Sequence, residues 1–201
     1  MEIKDNKTTA PLEHYKSLYR KLDPNTAAAR CGLVYESGEF RVVYLGKQVN
    51  ITFPEFSVTY AVSGEKLSDE AGILLIRYII EGAGGHGSGK FVSYSEIPWG
   101  DVYLSNFKGR CIMRLAFGFG FDLERFAKAC RALGGVPAEG GDSAFDIEFI
   151  DGFIIRVIIW TADDEFPPNA QILFSDNFPM GFTAEDIAVV GDVLISAMKR
   201  A

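Results

Sequence analysis

The chain has 201 residues, enough for one domain with a sizeable buried core, and 48% of them are apolar. Lys and Arg number 20 against 27 Asp and Glu, a formal charge of −7, and no basic run stands out, which argues against a nucleic-acid partner. Met1 to Ala10 has no apolar leader and no apolar run reaches the ~18 residues of a membrane span, so the expectation is a soluble cytoplasmic protein without membrane contact.

In chain order, Leu12, Tyr15, Leu18, Tyr19 and Leu22 recur at helical spacing, which predicts a helical extension over residues 1–22. Asp23 then caps a short helix with Pro24 at its first position and Gly32 as its stop. From Leu33 to Phe53 the period falls to two. Ser37-Gly38 and Gly46-Lys47 divide this stretch into a three-stranded meander, with an edge strand following within Phe56–Val62. Ser68, Asp69 and Glu70 start an apolar helix that runs to about Glu81. Helices are predicted from Val102 to Phe117 and from Asp122 to Leu133, the second closed by Gly134-Gly135. Three strands come next, at Ala144–Ile150, Phe153–Trp160 and Ala170–Phe174. Asp151-Gly152 between the first two is a type I′ turn signal. Phe153–Trp160 reads as a central strand covered on both faces, in which Arg156 must pair or snorkel, a carboxylate such as Glu148 being one partner that would make it structural. Thr183 and Asp186 then open a final helix. Strands grouped in this way predict an α+β fold in a single domain, with a mainly antiparallel sheet built from two strand groups (about 33–62 and 144–174) and packed with helices.

The chemistry-bearing residues are few. Gly84 to Lys90 matches part of a phosphate loop, and Gly82, Gly84 and Gly87 fit G-x-G-x-x-G. Both follow a helix instead of a strand, and Phe91 stands where a magnesium-binding hydroxyl is needed, so a connector or ligand-covering loop is the better reading. His86 lies in that loop. Cys31, Cys111 and Cys130 lack metal spacing, which predicts reduced, partly buried thiols and no metal site. Asp163, Asp164 and Glu165 gather three carboxylates at a strand end, and Glu96 and Trp99 share a proline-stiffened loop.

Ala29-Arg30-Cys31-Gly32, Phe91 to Pro98 with Gly100 and Tyr103, and Phe166-Pro167-Pro168 with Ile172-Leu173-Phe174 carry a likeness to a known family. On these residues the chain resembles the family catalogued as domain of unknown function 3786, found mostly in anaerobic bacteria and archaea. Members joined to a four-cysteine iron–sulfur module imply a link to corrinoid or one-carbon metabolism, and the three cysteines here do not form that module. The resemblance supplies no catalytic residue and no cofactor. Three readings follow. The first is a non-catalytic accessory or small-molecule-binding protein with a pocket near Glu96, Trp99, Trp160 and the acidic loop. The second is a metal-assisted or acid/base enzyme using Asp163, Asp164 or Glu165, with Glu96 and His86 closing the site. The third is a homo-oligomer or protein-binding scaffold.

Overall fold

The computed structural model describes residues 9–201; the segment read above as free of a leader lies largely outside them. Local chemistry sets most helix ends. Helix α1 (Thr9–Tyr19) leads to α2 (Pro24–Cys31), where the Asp23 carboxylate accepts from the Thr26 N–H at 2.7 Å and Gly32 closes the helix at φ 69°. Ser68 caps α3 (Asp69–Glu81). The segment predicted as one helix from Val102 starts two residues earlier and is interrupted, giving α4 (Gly100–Phe107), a π-helical turn (Lys108–Ile112) and α5 (Met113–Phe119). Asp122 caps α6 (Leu123–Ala132), a short α7 (Phe178–Gly181) follows the last strand, and a Thr183–Asp186 capping box opens α8 (Ala184–Arg200).

Strands β1 (Val34–Glu36), β2 (Glu39–Tyr44), β3 (Lys47–Thr52) and β4 (Val58–Tyr60) form the first group; β7 (Ser143–Ile150), β8 (Phe153–Trp160) and β9 (Asn169–Ser175) form the second. Two three-residue strands, β5 (Phe91–Ser93) and β6 (Val136–Ala138), were not foreseen. All pair antiparallel in the order β4-β3-β2-β7-β8-β9-β5, with β1 on β2 and β6 on β7. The groups meet at a narrow seam, a single residue pair Tyr44–Ile150, reinforced by the Leu45 N–H donating to the Phe149 carbonyl at 3.0 Å.

Three expectations need correction. The type I′ turns are those at Ser37-Gly38 and Leu45-Gly46, where both residues have positive φ. At Asp151-Gly152 only Gly152 does (φ 85°), and a bulge between Glu148 and Ile150 re-aims this turn. Arg156 pairs with Asp146, its direct cross-strand neighbour, at 2.7 and 2.8 Å; Glu148 lies opposite Ile154 and spends its carboxylate on the Gly152 N–H. Finally, β8 is fully covered on one face only. Ile155, Val157 and Ile159 are buried, whereas Ile154 and Arg156 are half-buried, the latter beneath the Phe91 ring at 4.1 Å.

The covered face carries the core. Phe145, Ile147 and Phe149 of β7, with Ile172 and Phe174 of β9, pack beneath the helices. Tyr19 of α1 is fully buried against Phe40, Phe53 and Phe56, so the described part of the predicted extension is anchored in the same cluster as the second strand group. No helix among the described residues is long and apolar enough to cross a membrane.

Candidate functional site

Where β7 turns into β8, the C-terminus of α2 and the glycine-rich segment after α3 enclose a cavity of about 700 Å³. The glycines of this segment are there for close approach. A Cβ on Gly84 would overlap the Cys31 carbonyl, and the Gly84 N–H donates to the Arg30 carbonyl at 3.0 Å. Asn177, buried just after β9, fixes the segment from the other side. Its amide donates to the carbonyls of Gly85 (2.6 Å) and Gly152 (3.0 Å), tying the glycine segment to the β7–β8 turn. Asp176 accepts from the Ser88 N–H at 2.9 Å and from its hydroxyl, and these bonds, the hydroxyl's first, hold its carboxyl below the usual range.

Five titratable side chains line this space: Arg30, Cys31, His86, Glu148 and Asp151. Asp151 is the carboxylate among them whose titration is shifted. Burial raises its carboxyl from 3.8 to about 6, against the lowering effect of the Val43 N–H that it accepts at 3.2 Å; the neighbouring charge of Glu148 adds to the rise. Its protonation state therefore changes just below neutral pH, within the range where a proton can be exchanged with a bound molecule. Burial pushes the Cys31 thiol up, and its sulfur lies 3.5 Å from the carbonyls of Tyr78 and Gly82, as a packed thiol does. The Arg30 guanidinium donates to the Ile79 carbonyl. His86 rests against Gly152, its Nδ1 3.5 Å from where a Cβ would stand.

A second cavity, about 280 Å³, lies between the end of α3, the loop before α4 and α7. Its charged wall is the Arg77–Asp186 pair at 3.1 Å, and its rim carries Trp99, 77% exposed and held at φ 68°. That backbone is forced by its neighbour: Gly100 donates to the Ile97 carbonyl at 2.8 Å and sits so near the Tyr94 carbonyl that no Cβ would fit.

Of the residues singled out in the sequence, His86 lines the first cavity and Trp99 the second; Glu96, Trp160, Asp163, Asp164 and Glu165 line neither. Glu96 closes its own turn by accepting from the Ser93 hydroxyl (2.6 Å) and N–H (2.7 Å), which lower its carboxyl in that order. Asp163 closes its turn by accepting from the N–H groups of Glu165 (2.9 Å) and Phe166 (2.7 Å). Asp164, Glu165 and Trp160 are exposed. Among the described residues no three His, Cys, Asp or Glu side chains are grouped to hold a metal ion. Sequence reasoning missed Asp151, taken only as a turn residue, although an acid opening a hairpin between two apolar strands is itself a signal of a half-buried charge.

No curated protein and no solved structure matches the chain. A family described as "Domain of unknown function (DUF3786)" matches residues 23–197, so the chain belongs to that family.

Proposed function

We propose that this DUF3786-family protein is a small-molecule-binding protein whose ligand occupies the cavity bounded by α2, the glycine-rich segment and the β7–β8 turn. The observation that carries the reading is the cavity itself. Its volume of about 700 Å³ suits a small metabolite, and its walls are fixed by the buried Asn177 and by glycines that bring backbone close to the space. Arg30, His86, Glu148 and Asp151 offer both signs of charge, which suits a polar ligand carrying donor and acceptor groups. An accessory role beside corrinoid or one-carbon chemistry, the setting implied by the family resemblance, belongs to the same proposal.

A second reading is favoured by one group. Asp151, titrating near 6, is suited to take or give a proton at neutral pH, so an acid/base enzyme would act from this carboxylate instead of the Asp163-Asp164-Glu165 turn.

The test is the mass of protein expressed in an anaerobically grown host, measured under native and denaturing conditions, for wild type and for Ala29→Trp. Ala29 is exposed at the cavity wall, so the indole fills the space without entering the core. The expected result is extra mass, released on denaturation and missing from Ala29→Trp. Native mass equal to the bare chain, together with no ligand-induced thermal shift that Ala29→Trp removes across a panel of organic acids, amines and nucleotides, sinks the proposal.

A further inference from the structure

The second cavity lies at the centre of an exposed apolar surface that the ligand site does not use. Trp99 stands at its rim, and Pro98, Pro179 and Met180 line it, all exposed. Val102 and Tyr103, 65% and 37% exposed, add apolar surface on the first turn of α4, just after Trp99. The fold gains little from the Trp99 ring, since the backbone beneath it is set by Gly100 and the indole projects into solvent. Exposed Trp, Tyr and Met beside a cavity of side-chain size is the composition of an interface centre.

Charge identifies the occupant. Among the described residues, Arg77 is the only basic residue lining the cavity or lying within two sequence positions of a lining residue, and it is paired with Asp186. Glu81 lines the cavity as well, so its charged lining residues (Arg77, Glu81 and Asp186) sum to −1, and the exposed Asp101 and Glu185 lie within two sequence positions of lining residues. A second copy of this acidic chain would bring like charge against like.

We propose that the Trp99 surface docks a basic segment of another protein, with an apolar side chain of that segment seated in the cavity between Trp99 and Met180 and its Lys or Arg residues facing Glu81 and Glu185.

Random peptides of about 12 residues, displayed on phage and selected on the full-length protein, test this when clones that also bind Trp99→Ala are removed. The expected consensus combines Lys or Arg with a large apolar residue. Synthetic versions should lose about tenfold or more in affinity to Trp99→Ala and several-fold to Glu81→Gln/Glu185→Gln, and should weaken when salt rises from about 50 to about 300 mM. They should also shift the Trp99 emission to the blue in a Trp160→Phe background. Both variants change exposed side chains, and unchanged unfolding midpoints confirm that the fold is intact. An acidic or uncharged consensus, or no clone that depends on Trp99, overturns the proposal. A Trp99-dependent dimer in sedimentation also overturns it, in favour of a second copy. None of these outcomes bears on the α2 cavity, which Ala29→Trp tests separately.

Discussion

The glycine-rich segment Gly82–Gly89 and the acidic turn Asp163–Glu165 look, in sequence, like the two functional loops of this protein, and the structure treats them in opposite ways. The acidic turn is closed on itself, with Asp163 satisfying two N–H groups of its own loop and its neighbours in water. The glycine segment is tied to two distant parts of the chain. Gly84 bonds Arg30, Gly85 bonds Asn177 and Ser88 bonds Asp176, so the segment becomes a wall of the α2 cavity. Charge in a turn is cheap when the turn's own backbone can satisfy it. Glycine in contact with distant backbone reports a place where the fold needs close approach.

If that contrast is right, the largest effect should come from a single methyl group. Gly84→Ala forces a Cβ onto the Cys31 carbonyl and is expected to cost about 3 kcal/mol or more in urea unfolding. Gly109→Ala, in the π-helical turn with open space around it, serves as the control and should change stability by less than about 1 kcal/mol. Equal losses would show that the glycine segment has no special packing role. Asn177→Ala comes next. Its amide makes two bonds and its buried oxygen accepts from the Ser175 hydroxyl, so its removal should cost about 2–3 kcal/mol. Hydrogen exchange should then quicken at the glycine segment and the β7–β8 turn and stay unchanged at the acidic turn.

What was legible in the sequence follows the range of the forces involved. Asp23-Pro24-Gly32, Ser68 and the Thr183–Asp186 box each act within one turn of chain, and each placed its helix end correctly. The long strands announced themselves by composition. Strands β5 and β6, three residues each, exist only because β9 and β7 offer them an edge, and three residues show no period. The π-helical turn likewise has no signal in Lys108–Ile112. Arg156 shows the same limit on a smaller scale: its apolar strand obliges it to pair or snorkel, but choosing Asp146 over Glu148 requires the register. The cavity draws on residues 29–32, 84–91, 148–154 and 175, a convergence that no linear spacing encodes. His86 was found because its loop was conspicuous, and Asp151 was missed because turn chemistry explained it fully.

Asp151 gives a smaller effect of opposite sign. Its carboxyl titrates near 6 in the folded chain and near 3.8 when unfolded, so between those values the native state holds a proton that the unfolded state has lost. The stability this confers is fully present below about 3.8 and is lost as pH rises through 6. Asp151→Asn, which keeps an oxygen for the Val43 N–H, should therefore match wild type near pH 4 and exceed it by about 1–2 kcal/mol at neutral pH, the linkage value being discounted because solvent reaches the group. Parallel stability-against-pH curves for the two proteins would place this carboxyl in water.

The smallest expected effect falls on the acidic turn, and it cuts deepest into the comparison. Asp164→Asn combined with Glu165→Gln removes two exposed charges while leaving Asp163 to hold the loop, so stability should move by no more than about 0.5 kcal/mol. Any ligand mass carried by wild type should be retained, because neither side chain lines the α2 cavity. Asp163→Ala, which strips the caps from two N–H groups, should cost about 1 kcal/mol with the ligand again retained. If the double variant instead released the ligand at unchanged stability, the carboxylates would be acting on it directly. The turn would then be the site, and the glycine segment a packing element that happens to enclose space.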